Sequence, residues 1–429
     1  MSSAPISTHS TVELFDLSVS LAIPGLPVAH HIFVGRRDWA SFQTKVCSRP
    51  PPPITKIFIY IRTEHRKSVI ALGKHFPCFQ SRKSETCKNN LSQAIFPGTL
   101  LLPEMRKVNI GLVGCGTVGS GVVQALSRNG ALMGSRLGVK LSLAKVAVRN
   151  PRKARAARLA KRMVTNDWES VVRDPKIDVV VELMGGTTTA RKVVNEALKL
   201  GKPVVTANKA LISAHGESIF KLVEKNGGNL YYEAAVAGGI PIIKSLREGL
   251  SGNRIQSLYG ILNGTCNFIL TQMELEGRSF EEILLDAQRL GYAEAEPSLD
   301  VDGFDAQHKA GILASLAHGF WIKPNQIFVE GIRHITTLDI QFARHLGYCI
   351  KLLGIVKKIG DKVQIVVHPT LVPEKHVLAN VSGVYNAILV RGDIVGDTLH
   401  YGQGAGADAT ASAVLSDLAD ASLDLKNVS

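Results

Sequence analysis

Five carboxylates, Glu294, Glu296, Asp300, Asp302 and Asp305, fall within twelve residues of the stretch Gly291 to Lys309, and Asp305 and Lys309 stand four apart. On a helix that spacing puts both on one face. Three chemistries compete for the constellation. A calcium loop needs the ligand spacing of an EF-hand and a closing Glu, neither of which is present. A helix capped near Asp305, with a surface Asp305–Lys309 pair, is the plain structural reading. In the third, carboxylates grip a substrate ammonium and a lysine ammonium serves as acid. Lys209, in Val205-Thr206-Ala207-Asn208-Lys209, opens a predicted helix at the end of a strand. The macrodipole disfavours a cation there, which points to a contact with cofactor or substrate. Cys266, in Asn263-Gly264-Thr265-Cys266-Asn267, offers a nucleophile, but nothing near it in sequence lowers its pKa, and a small buried thiol is the plainer expectation.

Gly114-Cys115-Gly116-Thr117-Val118-Gly119 is G-x-G-x-x-G directly after an apolar run and at the mouth of a predicted helix. Gly114 permits the tight turn, Gly116 lets the backbone approach a pyrophosphate, and Gly119 lets helix and strand pack closely. At the end of the second strand an acidic residue would hold the ribose hydroxyls of NAD. This chain has Arg149 instead, with Arg152, Lys153 and Arg155 behind it, and a guanidinium matches a 2′-phosphate. NADP is therefore the expected cofactor, with NAD the alternative.

These residues need elements to hold them. Apolar runs at 108–113, 141–148, 178–183, 203–206 and 230–234 alternate with helical patterns at 120–129, 154–162, 189–200 and 210–225. Strands apolar on both faces, alternating with amphipathic helices, predict a doubly wound parallel sheet. Beyond it, strands at 254–262, 362–368 and 387–390 and helices at 280–290 and 305–318 lose the strict alternation, which predicts an α+β domain, and a helix at 410–418 returns to the first domain. The chain of 429 residues is 45% apolar and 20% charged with a mean hydropathy of +0.11, enough for a large core and too apolar for general disorder. No run approaches the roughly 20 apolar residues of a membrane span. Six cysteines form no CxxC pair or zinc spacing and suit a reducing compartment. The net charge of +14 lacks the aromatic-interleaved stripe of a nucleic-acid surface and fits an anionic small-molecule ligand. Residues 1–104, with 12 Lys and Arg against 6 Asp and Glu and a run Pro50 to Pro53, show no sustained period and are expected to be a poorly ordered leader. Glu13 and Asp16 fit poorly with a secretory or transit peptide, so a cytoplasmic protein is expected, with organellar targeting by the leader left open.

From Met105 to about Asp420 the chain resembles the homoserine dehydrogenases. Gly114 to Gly121, Thr206 to Leu211, Glu233 to Ile243, Asn263 to Leu270, Gly291 to Lys309 and Tyr401 to Ala413 match that family's segments in the family's order. The resemblance implies NAD(P)H-dependent reduction of L-aspartate 4-semialdehyde to L-homoserine, on the way to threonine, methionine and isoleucine. It implies Lys309 as proton donor, Lys209 as a second active-site lysine, and Glu294, Asp300 and Asp305 around the amino-acid substrate. Cofactor contacts would come from Gly114, Gly116, Thr117, Val118, Gly119, Arg149, Thr206, Lys209, Gly291 and Gly402. It further places a monovalent cation, sodium by expectation, at Glu233, Val236, Gly238 and Ile240. The architecture implied is α/β: a Rossmann-type sheet domain over 105–240 with 402–425, and a catalytic and dimerisation domain over 241–401, in a homodimer. The family's Gly-Pro-Gly-Ala-Gly appears here as Gly402-Gln403-Gly404-Ala405-Gly406, which gives up one rigid φ. No C-terminal regulatory domain follows before Ser429, so feedback by threonine through one is not expected. Two alternatives remain: a non-catalytic NADP-binding regulator, which would not need Glu294, Asp305 and Lys309 together, and an acylating aldehyde dehydrogenase using Cys266.

Overall fold

Val179–Glu182 buries all four of its side chains, as a strand covered on both faces must. It lies in a six-stranded sheet whose strands are β1 (Arg106–Val113), β2 (Val139–Ala147), β3 (Val164–Thr165), β4 (Val179–Glu182), β5 (Val204–Thr206) and β6 (Leu230–Tyr231). All pair in parallel, in the order β3-β2-β1-β4-β5-β6. The order reverses between β1 and β4, which opens a crevice at the carboxyl ends of the strands. The computed structural model describes residues 105–152 and 157–427, together with the backbone of an antiparallel strand pair, Ile57–Thr63 and Arg66–Leu72. That pair lies within the stretch read as a leader; the rest of that reading lies outside the described residues.

Helices α1 (Thr117–Leu137), α2 (Thr188–Lys199) and α3 (Lys209–Asn226) follow β1, β4 and β5. Val193, Val194 and Ala197 of α2 and Leu211 and Ile219 of α3 pack on one face of the sheet. Val122 and Ala125 of α1 pack on the other, with Ala411, Val414 and Leu418 of the returning tail helix. Three predicted boundaries shift. Helix α1 runs through Gly130 and Gly134 to a left-handed cap at Gly138, because packing outweighs the roughly 1 kcal/mol that each glycine costs. The basic helix expected at 154–162 is only a 3-10 turn at Lys161–Met163 in its described part, where Ala157 and Leu159 pack on the sheet core from non-helical backbone; 153–156 lie outside the described residues. The strand expected at 230–234 stops at Tyr231, where the chain turns into Glu233–Ala235 and the Glu233 carboxylate takes a buried role described below.

The second sheet contains β7 (Ile255–Ile261), β8 (Phe328–Val329), β9 (Tyr348–Ile359), β10 (Lys362–Pro373), β11 (Tyr385–Gly392) and β12 (Gly396–Gln403), ordered β8-β10-β9-β7-β11-β12. Only β8 and β10 pair in parallel. Helices α4 (Gly264–Glu276), α5 (Phe280–Arg289), α6 (Phe304–His318) and α7 (Thr337–His345) contribute to the largest core cluster, against this sheet. Strand β10 continues past the predicted end at His368 through Pro369, beyond the two residues that pair with β8, where its outer edge is open. The tail helix α8 (Ala407–Asn427) closes on α1.

Candidate active site

The crevice beside β1 and β4 is a cavity of about 940 Å³ lined by Gly114, Gly116, Thr117, Arg149, Trp168 and Gly185, among others. The three fingerprint glycines have different surroundings. Gly114 holds φ +98 with no room for a Cβ beside Leu183 O, a Cβ on Gly116 would meet nothing within 4 Å, and one on Gly119 would stand 2.5 Å from Gly114 O. No side chain caps α1, so its first N–H groups face the cavity. The site therefore has room for a pyrophosphate between Gly116 and the helix, and Arg149 lines the same cavity. Gly119→Ala forces helix and strand apart. Overpacking costs about 1–3 kcal/mol, so NADPH binding is expected to weaken roughly tenfold or more in a fluorescence titration.

A second group of residues surrounds Asp305, in the first turn of α6 behind the left-handed Gly303. Lys309 Nζ donates to Asp305 Oδ2 at 2.7 Å and to Leu262 O at 2.6 Å. Lys209, the first residue of α3, reaches Asp305 Oδ1 at 2.6 Å from the sheet domain. Asn263 donates to Asp305 at 2.9 Å and to Asp300 at 2.7 Å, while its own oxygen caps α4 at Cys266 N. Asn386 of β11 donates to Leu262 O at 2.9 Å. Lys309 and Asp305 side chains are 9% and 4% exposed and Lys209 is 34%, so one carboxylate joins a buried ammonium to one that solvent reaches. Lys309 uses two of its three N–H groups among the described residues.

Burial pushes Lys309 below the ordinary lysine range and prevails over the pull of Asp305, with the Lys209 charge adding to the fall. The Asp305 charge by itself would raise the pH at which Lys309 becomes a base, and burial reverses that direction. Asp305 is buried too, yet the two ammoniums hold it well below the usual carboxylate range. Burial, then the Asp305 charge, pushes Asp300 up.

Not every expected residue joins this group. Asp305 spends both oxygens on the lysines and on Asn263, so here it positions them rather than presenting a free edge to a substrate ammonium. Asp300 is half-buried beside it, whereas the Glu294 side chain is exposed and makes none of these contacts. Thr206 is buried with its hydroxyl donated to Glu182 Oε2 at 2.6 Å, away from the dinucleotide cavity. Gly291 ends α5 at φ +77 with open space around it, and Gly402 lies against Ile240. Cys266 is fully buried, its Sγ 3.1 Å from Asp300 O, and burial followed by the Asp300 charge raises its thiol well above the ordinary range. A thiolate nucleophile is therefore disfavoured where the acylating alternative needs one. Asn263, Asn386, Glu182 and the Leu262 carbonyl are additional to the sequence expectations; the sole sequence trace was Asn263 ahead of α4, in an N-cap position.

Around Glu233 the backbone folds tightly. Its oxygens accept the N–H groups of Ile243 and Lys244, both at 2.8 Å, and its own N–H donates to Asp417. Burial pushes its carboxyl up against those bonds. Ala237 and Gly238 adopt φ of 54° and 44°. No described donor reaches the buried carbonyls of Val236 and Gly238. Strained backbone with buried acceptors fits a cation held by main-chain oxygens.

Residues 114–233 match the homoserine dehydrogenase NAD-binding domain and residues 241–419 the homoserine dehydrogenase domain. The chain belongs to the homoserine dehydrogenase family. A homoserine dehydrogenase of Pseudomonas aeruginosa is 48% identical over 316 residues, 74% of this chain and 72% of that one, and one of Synechocystis is 49% identical over 315 residues, 72% of each. The crystal structure of a homoserine dehydrogenase from Thiobacillus denitrificans superposes with a TM-score of 0.73 at 48% identity, covering 75% of both chains. A hyperthermophilic archaeal homoserine dehydrogenase solved in complex with NADPH matches with a TM-score of 0.64 at 27% identity, over 74% of this chain and 98% of that one. A nicotinamide-binding sheet domain joined to a family-specific catalytic domain is thus common to this chain and its relatives. Among the described residues no helix is long and apolar enough to cross a membrane.

Proposed function

We propose that this homoserine dehydrogenase family member reduces L-aspartate 4-semialdehyde to L-homoserine with NADPH, using Lys309 as the proton donor. The observation that carries the reading is the bridge Lys209–Asp305–Lys309, closed across sheet domain and catalytic domain by contacts of 2.6 and 2.7 Å. The nicotinamide, when bound, supplies the hydride. As the aldehyde oxygen gains charge, the third N–H of Lys309 stabilises it and then yields its proton. Asp305 holds Lys309 and Lys209 in register, and Leu262 O fixes the direction of Lys309. Asp300 holds the substrate ammonium, and Glu294, exposed on the segment that leads to it, is the second carboxylate assigned to that group. A spectrophotometric assay with homoserine and NADP at alkaline pH tests the activity; no homoserine-dependent absorbance change refutes it.

Of the residues assigned to the cofactor, Gly114, Gly116 and Thr117 line the cavity where the pyrophosphate is proposed and Arg149 lines it where the 2′-phosphate is proposed, with Val118 and Gly119 behind them in the same turn and helix; Thr206, Lys209, Gly291 and Gly402 lie outside that lining and are proposed for the nicotinamide end. Arg149→Ala is expected to weaken NADPH by about tenfold, the scale of one charge-assisted contact, and NADH hardly at all. Equal losses for the two cofactors would refute the phosphate assignment. A sodium ion at the carbonyls of Val236, Gly238 and Ile240 beside Glu233 would stiffen the joint between the domains, taken as 105–240 with 402–425 and 241–401. A homodimer is proposed through β12, an edge strand of the second sheet that exposes Leu399 and Tyr401. The free thiols Cys115, Cys266 and Cys349 suit a reducing compartment, in keeping with a cytoplasmic enzyme.

A further inference from the structure

His308 stands on α6 between Asp305 and Lys309, and nothing in the reaction scheme uses it. Its ring is half-buried, and its Nδ1 is buried with no hydrogen-bond partner among the described residues. Buried polar atoms are seldom left unpaired without a reason, and this one lies on the turn that carries both charged groups of the site. The charges that bear on the ring are Asp305 and Lys309 of its own helix and Lys209 of the packed helix α3. Burial lowers the His308 pKa, so at neutral pH the imidazole is uncharged and one ring nitrogen can accept. Lys209 has three N–H groups and one described acceptor, Asp305 Oδ1. Its side chain is one-third exposed, so solvent reaches it on the side away from Asp305.

Substrate entry changes the demands on Lys209. A substrate ammonium arriving at Asp300 brings a third positive charge beside Asp305 and repels Lys209, the more exposed of the two lysines, which then needs a second acceptor if it is not to swing into solvent. We propose that His308 is a positioning residue whose Nδ1 accepts a hydrogen bond from Lys209 Nζ when substrate loosens the Lys209–Asp305 contact. With the proton on Nε2, the ring holds Lys209 in the cleft during turnover and leaves Lys309 oriented by Leu262 O and Asp305. This rests on the reading of Lys209 and Lys309 as active-site lysines.

The two amides that imitate imidazole separate the ring nitrogens. Asn places its oxygen near the position of Nδ1, and Gln places its oxygen near that of Nε2. Steady-state reduction of aspartate semialdehyde by the full-length enzyme is measured for His308→Asn, His308→Gln and His308→Leu, with thermal midpoints for each. The expected result is that His308→Leu and His308→Gln lose roughly tenfold in kcat with KM for NADPH unchanged, the scale of one hydrogen bond to a charged group, while His308→Asn stays within about threefold of wild type. In a Lys209→Met background, His308→Leu is expected to cost nothing further, because the pair acts as a unit. The proposal is overturned if His308→Asn falls with His308→Leu, if all three keep full kcat, or if the His308 and Lys209 losses simply add. Should His308→Leu fail to fold, the Asn and Gln comparison still decides. A Lys309→Ala control in the same assay reports on the lysine reading alone: ordinary turnover there removes that reading whatever the His308 series shows.

Discussion

Replacing Lys309 by alanine is expected to lower kcat for aspartate-semialdehyde reduction by about 10² or more and to leave the Kd for NADPH within about twofold. On the proposed mechanism the ammonium donates to the reacting oxygen, and Lys309 is not among the residues that line the dinucleotide cavity, so the loss should fall on the chemical step. Stopped-flow absorbance for turnover and fluorescence titration for the cofactor separate the two. In the wild type, reduction needs the charged form of Lys309, so its rate falls as pH rises through the Lys309 pKa. Homoserine oxidation needs the neutral amine and rises through the same value. Because burial lowers that value, both transitions are expected below the ordinary lysine pKa of about 10.4, and both vanish in Lys309→Ala. An oxidation rate still climbing with undiminished slope at about pH 10.4 would contradict the direction of the shift.

Asp305→Asn is expected to be nearly as damaging by a different route. The carboxylate is the shared acceptor of Lys209 and Lys309, and its loss leaves two ammoniums facing each other beside a neutral amide. Breaking a buried pair by removing one partner costs about 3–5 kcal/mol, and Lys309 escapes part of that cost by losing its proton. A deprotonated Lys309 cannot act as an acid, so reduction at neutral pH is expected to fall by about 10² or more, and oxidation by less. The stability loss has a sign that can be checked. It is largest at low pH, where both lysines are charged, and shrinks as pH rises and Lys309 becomes neutral. Thermal midpoints of variant and wild type measured from pH 6 to pH 10 should therefore converge; a gap that widens with pH would show that the Asp305 charge does not hold the lysines.

Residues with local reasons for their type were the legible ones. Gly114, Gly116 and Gly119 are fixed by turn geometry, ligand approach and helix packing, all contained in six residues, and the structure gives each the surroundings its position called for. Asp305 and Lys309 are one helical turn apart, so helical periodicity alone put them on one face. The sheet-domain strands were legible because a strand buried on both faces is apolar throughout. What sequence could not supply was the meeting of distant segments. Lys209 reaches Asp305 across 96 positions of chain only because α3 and α6 pack together. Leu262 acts through a carbonyl, which its side chain does not advertise, and Asn386 comes from a strand 124 residues away. Helix α4 was missed because it is buried nearly all round, from Thr265 to Thr271, and so shows no amphipathic period. The fall of Lys309 below its ordinary range required knowing how completely α6 buries it, and local charge alone pointed the wrong way.

A crystal structure of the enzyme with NADP and homoserine tests the central assignment most directly. The account places the homoserine hydroxyl oxygen within about 3 Å of Lys309 Nζ, with that nitrogen keeping its contacts to Asp305 and Leu262 O. A hydroxyl bound instead to Lys209 or to water, with Lys309 out of hydrogen-bond reach, would contradict it.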